Sequence, residues 1–134
     1  MSRHPDWPER LSAFLEARRD RPFEWGAHDC VLMAADWVVE ATGVDPIDGW
    51  RGRWSSASQA ARMLAQAGGV PGAVTERLGR PLESVLLAGR GDIGLFIHDG
   101  RKTLGVVTDA GLACPGEHGM VIVPLTSAEA AWRV

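Results

Sequence analysis

The sequence predicts an α+β fold with a helical first half and a strand-rich second half. Apolar residues recur at helical spacing as far as about residue 78, and after residue 92 they alternate with a period of two. Asp99-Gly100, between two alternating runs, is a strong hairpin turn. A length of 134 residues without a linker suits one domain over 1–134. We expect N-terminal helices packed on a C-terminal antiparallel sheet.

Composition and charge exclude several classes of protein. Hydrophobic residues make up 46% and charged residues 23% of the chain, as in globular rather than disordered proteins. A formal charge of −3 gives little attraction for nucleic acid. The apolar runs 30–35 and 120–125 are far shorter than the roughly 20 residues of a membrane span. Two cysteines are too few for a disulfide framework, and residues 1–8 lack the apolar core of a secretory signal.

Four helical segments are predicted in the first half. A capping box at Asp6 and Glu9, a cap at Asp29 and a cap at Ser56 mark three helix starts, and Gly43 ends the second helix. The predicted segments are 7–19, 30–42, 57–67 and a short turn at 72–78.

The segment 44–54 is predicted to be irregular, because it holds Pro, Gly and two Trp without a period. Trp50 and Trp54 flank an Arg-Gly-Arg run that includes Arg51. These side chains form either half-buried packing or an exposed aromatic–Arg patch of the kind enriched in interfaces. We favour the interface, with Trp50, Arg51 and Trp54 as its residues.

The second half is predicted to form an antiparallel sheet of strands 93–98, 103–108, 112–114 and 120–123. Two registers of the hairpin are possible. A two-residue turn pairs His98 with Arg101, and a four-residue loop pairs His98 with Thr103. Both registers place the same residues on the same face of the sheet. Gly94 and Gly105 share one face and carry no side-chain bulk. We therefore expect the second helix to pack on that face.

Cys30 is the candidate nucleophile. It directly follows a predicted helix cap, where free N–H groups and the helix dipole favour a thiolate and lower the thiol pKa. A small buried cysteine at the start of an Ala-rich helix is the alternative, which periodicity alone favours. The preceding loop with Trp25 and Gly26, and the Gly91-Asp92 pair before the first strand, shift the balance toward a nucleophile.

These residues resemble motifs of the NlpC-type cysteine peptidase superfamily, which has a papain-like fold. The wider pattern resembles a small branch encoded in phage and prophage tail gene clusters, and it spans nearly the whole chain. Its motifs here are Phe23-x-Trp25-Gly26-x-x-Asp29-Cys30, Thr42-Gly43-x-Asp45-Pro46, Arg90-Gly91-Asp92, Leu104-Gly105-Val106-Val107 and Ala131-Trp132-Arg133. The resemblance implies hydrolysis of γ-D-glutamyl or related bonds in cell-wall peptides by a cysteine, a histidine and a third polar residue.

The chain departs from that resemblance at Thr103, which stands where active members carry the general base histidine. Either another histidine substitutes or the fold is a scaffold without catalysis. His98 shares a face with Thr103 and is the candidate base, with His118 as the candidate orienting residue. His28 is expected to hold the loop before Cys30. The cysteines and histidines lack metal-ligand spacing, so we expect no metal and no cofactor.

Two functions stay open after the sequence analysis. The resemblance implies a phage or prophage tail-associated cysteine peptidase or amidase that acts on peptidoglycan, supported by Asp29-Cys30 and Gly91-Asp92. The alternative, favoured by Thr103, is an inactive tail-assembly or tail-tip component that uses the fold as a docking module. The expected partners are phage tail proteins or cell-wall peptide, and neither nucleic acid nor a membrane. We expect synthesis in a bacterial cytoplasm and, for a tail component, transport in the virion.

Overall fold

The computed structural model describes residues 2–134, which form four α-helices and one five-stranded antiparallel sheet. The elements are α1 (Trp7–Arg18), α2 (Cys30–Thr42), α3 (Ala57–Gln66), α4 (Gly69–Leu78), β1 (Ile93–His98), β2 (Arg101–Thr108), β3 (Gly111–Gly116), β4 (Gly119–Val123) and β5 (Ala130–Trp132). The strand order is β4-β3-β2-β1-β5. The predicted α+β class is confirmed. No helix within residues 2–134 is long and apolar enough to cross a membrane.

The bounds of α2 are those predicted from its two end signals. The Asp29 side chain caps the start, and Gly43 ends the helix in the left-handed conformation with φ 78°. The capping box predicted at Asp6 is wrong, because Asp6 makes no side-chain cap hydrogen bond. Its carboxylate instead accepts a hydrogen bond from Arg10 Nε at 2.8 Å, an i,i+4 ion pair on the surface of α1.

Helices α3 and α4 form a close pair. Ser56 caps α3 by accepting the Gln59 N–H, as predicted. Helix α4 begins three residues earlier than predicted, because Gly68 adopts φ 87° and turns the chain directly from α3 into α4. Pro71 lies in the first turn of α4, where a missing backbone N–H costs no helical hydrogen bond.

The β1–β2 hairpin has the shorter of the two predicted loops. His98 pairs with Arg101, and the turn residues Asp99 and Gly100 have φ 51° and 76°. Positive φ at both central residues is typical of a type I′ turn. Strand β5 was not predicted, because three residues that pair with β1 are too short to show a strand period.

The predicted face for α2 is wrong. Helix α2 packs on the other face of the hairpin, where Leu104 and Val106 belong to the main core. The space over Gly94 and Gly105 is filled by the Leu112 side chain from β3. The larger apolar side chains of the opposite face offer α2 more area to bury, and this decides its position.

We predict that Gly105→Ala lowers the free energy of unfolding by about 1–3 kcal/mol, because the new methyl group would overpack a filled core. A Cβ at Gly105 would lie 3.0 Å from Leu112 Cβ and 3.1 Å from Phe96 Cε1. Urea denaturation measures the change. The matched control is Gly89→Ala, whose Cβ would meet no atom within 4 Å. Equal stability of the two variants would contradict the packing described.

Candidate functional site

Asp29 organises the chain around the start of α2, and only 1% of the residue is exposed. Its Oδ1 accepts the Leu32 N–H at 2.9 Å. Its Oδ2 accepts the Gly26 N–H at 2.9 Å and the indole N–H of Trp54 at 2.8 Å. Three donors stabilise this buried carboxylate, so one side chain joins the loop, α2 and the approach to α3.

The loop before α2 is tight. Glu24 and His28 exchange two backbone hydrogen bonds, and Gly26 has φ 77° between them. A Cβ at Gly26 would collide with the Trp54 carbonyl oxygen. His28 therefore holds the loop through its backbone, while its ring is 1% exposed and has no hydrogen-bond partner within residues 2–134. Burial, followed by the positive charges of Arg21 and Arg18, lowers the pKa of His28.

Cys30 is the first residue of α2, as predicted, and is partly buried. Burial raises the pKa of the Cys30 thiol to about 11, because desolvation disfavours the thiolate. Backbone hydrogen bonds from Leu104 and Val31 oppose this effect, and the charge of Asp29 adds to it. The expected lowering of the thiol pKa is wrong. Burial also raises the pKa of Cys114 to about 12, so both thiols are protonated at neutral pH.

Cys30 lies where two hollows meet. One hollow, of about 600 Å³, extends along α3, and the other, of about 530 Å³, extends along the β1–β2 hairpin. Four residues line both hollows: Trp25, Cys30, Arg101 and Lys102. We call the two hollows together the Cys30 cleft, with an α3 lobe and a hairpin lobe.

His98 and Thr103 line the hairpin lobe together with Cys30. His98 Nε2 lies 3.6 Å from an Asp99 carboxylate oxygen, and the Thr103 hydroxyl donates to the Arg101 carbonyl at 3.1 Å. Within residues 2–134, no hydrogen bond joins Cys30 to a histidine. The lobe therefore contains the candidate nucleophile and the candidate base without linking them as a pair.

His118 lies in the turn between β3 and β4. Its side chain is 90% exposed, its Nε2 is 4.0 Å from a Glu117 carboxylate oxygen, and it is not among the residues that line the Cys30 cleft. The structure thus brings Cys30 and His98 into one lobe and leaves His118 outside it. Within residues 2–134, no group of three or more His, Cys, Asp or Glu side chains could hold a metal ion.

Asp92 connects the ends of the chain to the start of β1. Its Oδ1 accepts hydrogen bonds from Arg3 Nη2 at 2.8 Å and from the Val134 N–H at 3.1 Å. The Gly91 carbonyl accepts the Trp37 indole N–H at 2.7 Å, which anchors the same corner to α2. The Gly91-Asp92 pair therefore supports the fold at the end of β1 remote from His98.

The interface residues predicted in segment 44–54 do not share one exposed patch. Trp54 is 7% exposed, because its indole N–H reaches Asp29 in the interior. Trp50 is half-buried, with the Arg77 guanidinium 3.9 Å from its ring centre, and Arg51 pairs with Asp36 at 2.8 Å. Trp54 is thus a core residue, and an interface at Trp50 and Arg51 stays a prediction.

Two cations of the Cys30 cleft, Arg101 and Lys102, were not predicted from the sequence. The predicted hairpin could have identified Arg101, because the two-residue turn places it opposite His98, the candidate base. Arg101 lies 5.5 Å from the centre of the Trp25 ring, so the turn carries this cation over the loop that precedes α2.

Asp29→Ala should reduce the free energy of unfolding by about 3 kcal/mol or more, since it removes a helix cap and leaves two further donors unpaired. Urea denaturation provides the measurement. Ser56→Ala is the matched control, because it removes one exposed cap bond and should cost about 1 kcal/mol. Equal losses in the two variants would show that the buried network adds nothing beyond a cap.

Cys30 should react with iodoacetamide faster than Cys114, because Cys114 is 1% exposed and has the higher thiol pKa. The labelling rate of Cys30 should rise about tenfold per pH unit between about pH 7 and pH 10, since the thiolate fraction grows in that proportion below the pKa. Mass spectrometry of the labelled peptides measures both rates. A plateau below about pH 8 would contradict the raised pKa, and faster labelling of Cys114 would contradict the placement of Cys30.

Comparison with known proteins identifies the family of this chain. No curated protein matches it. Residues 2–134 match the family described as "Domain of unknown function (DUF6950)". The match extends from the N-terminal arm through the loop before α2, the hairpin and β5. On this match the chain belongs to the DUF6950 family.

Proposed function

We propose that the domain has the papain-like NlpC-type architecture and serves in a phage or prophage tail, where it binds a peptide segment in the Cys30 cleft without cleaving it. The architecture is supported by a helix that begins at a cysteine and packs on an antiparallel sheet, with Gly91-Asp92 at the start of β1. On this proposal the chain is made in a bacterial cytoplasm and carried in the virion. Its partner is another tail protein.

The observation that carries the proposal is that no hydrogen bond joins Cys30 to a histidine within residues 2–134. Hydrolysis of an amide by a cysteine needs a thiolate and a group that gives a proton to the leaving amine. Burial raises the pKa of the Cys30 thiol to about 11. On the resemblance to NlpC-type peptidases, Thr103 stands where the base is expected. The Thr103 hydroxyl donates to a backbone carbonyl and has no proton-accepting nitrogen.

The Cys30 cleft stays open although no hydrogen bond joins Cys30 to His98. The Asp29 network holds the loop, α2 and Trp54 together, and two lobes of about 600 and 530 Å³ stay open on either side of Cys30. These volumes are in the range of pockets that take small ligands. A cleft with a protonated thiol is suited to binding without turnover.

A second candidate function is a cysteine peptidase or amidase that acts on cell-wall peptide. It is favoured by one observation, that Cys30 and His98 line the same lobe. Catalytic hydrogen bonds are often long in ligand-free enzymes and tighten when substrate binds. His98 would then act as the base in place of the missing histidine, and it would have to leave its Asp99 contact.

Release of amines from purified peptidoglycan separates the two functions. The wild type, Cys30→Ala and His98→Ala should release equal, background amounts if the domain only binds. Release that is lost in Cys30→Ala would overturn the proposal and establish hydrolysis.

Co-expression with individual proteins of a tail gene cluster that encodes the chain tests the binding role. We expect a stable complex that survives Cys30→Ala and is lost in Ala61→Trp, because Ala61 lines the α3 lobe and a large ring would fill it. The matched control is Ala17→Trp, an exposed position on α1. A complex unaffected by Ala61→Trp would contradict binding in the cleft.

A further inference from the structure

Two cations lie at the waist of the Cys30 cleft, where the two lobes meet, and in the described part of the chain only one of them forms an ion pair. Lys102 pairs with the Glu129 carboxylate at 3.9 Å. Arg101 forms no ion pair within residues 2–134, and its guanidinium lies 5.5 Å from the centre of the Trp25 ring. Arg101 is therefore an unneutralised cation held beside an aromatic side chain at the waist.

The α3 lobe has no free carboxylate among its lining residues. Asp29 is the one acid there, and its oxygens already accept three hydrogen bonds. The wall along α3 and the start of α4 combines the larger Leu64 and Val70 with six small residues, namely Ala57, Ser58, Ala60, Ala61, Ala65 and Gly69. Small apolar residues beside a cation leave room for an aliphatic side chain next to a carboxylate.

The hairpin lobe carries charges of both signs. Asp99 and Glu117 line it, and their side chains are 91% and 88% exposed. The cations Arg101 and Lys102 line both lobes, whereas the acids Asp99 and Glu117 line the hairpin lobe alone. An acidic group is therefore attracted toward the α3 lobe rather than the hairpin lobe.

We infer that the Cys30 cleft selects an extended protein segment in which an acidic side chain binds Arg101 and a neighbouring aliphatic side chain fills the α3 lobe. This inference rests on the proposed binding function and adds the chemistry of the occupant. Arg presents a planar fork that binds a carboxylate through two parallel hydrogen bonds. Because the lobes extend to both sides of Arg101, the occupant is a chain rather than a single small acid.

Fluorescence anisotropy with labelled hexapeptides tests the inference. The peptides share a frame of Ala, Ser and Thr, and in the middle they carry Glu-Leu, Gln-Leu, Lys-Leu or Glu-Ser. We expect Glu-Leu to bind about tenfold more tightly than Gln-Leu, because one charge-assisted contact is worth about 1.4 kcal/mol. Lys-Leu should bind more weakly still, and Glu-Ser should lose the contribution of the α3 lobe.

Variants connect that preference to the named residues. Arg101→Ala should remove the preference for Glu-Leu over Gln-Leu, and Arg101→Lys should keep part of it, since the charge is retained and the fork is lost. Arg133→Ala is the matched control, an exposed arginine that follows β5 at the other end of the sheet. Ala61→Trp should weaken Glu-Leu to the level of Glu-Ser.

Three outcomes would overturn the inference: equal binding of Glu-Leu and Gln-Leu, a preference that survives Arg101→Ala, or no binding by any peptide. Succinate that binds as tightly as the Glu-Leu peptide would also overturn it, because the site would then take a small acid. Peptides that bind in the cleft without a preference for Glu would leave the proposed function standing. Cleavage of Glu-Leu that requires Cys30 would refute the proposed function alone.

Discussion

The buried carboxylate of Asp29 is the constraint on which the site depends. A desolvated charge without donors would cost several kcal/mol, so each of its three hydrogen bonds has to form. The Gly26 N–H points at the carboxylate because Gly26 adopts φ 77°. The Trp54 indole can approach because Gly26 has no Cβ, which would collide with the Trp54 backbone. The start of α2 and the approach to α3 are therefore set together, and the Cys30 cleft lies between them.

The chemistry of Cys30 follows from two opposed effects. A helix N-terminus stabilises a nearby negative charge by about 0.3–1 kcal/mol, whereas burial shifts the pKa of a group by up to several units. Burial dominates here, and the pKa of the thiol rises to about 11. The position of Cys30 at a helix start is therefore not sufficient to make its thiol a thiolate at neutral pH.

Residue patterns within a few positions predicted the helices and most of the strands. Features that depend on contacts between distant residues were not predicted. Asp29 and Gly43 are end signals within a few residues of α2, and its bounds follow from them. Helix α2 packs on the face with the larger apolar side chains, while Leu112 from another strand fills the glycine face. Trp54 is buried because its partner lies 25 residues earlier in the chain. The local hairpin turn sets Arg101 opposite His98, but its position beside Trp25 is a long-range contact that no local pattern contains.

The corner at Asp92 has a consequence for how the domain is joined to other molecules. Arg3 and the Val134 N–H share one oxygen of Asp92, and Arg3 Nε also donates to the Val134 carbonyl at 2.8 Å. Strand β1 has six residues, so at about 3.3 Å per residue this corner lies some 20 Å from His98 at the far end of the strand. A label or solid support attached beside Arg3 or Val134 would therefore lie at the end of β1 remote from His98 and the hairpin lobe.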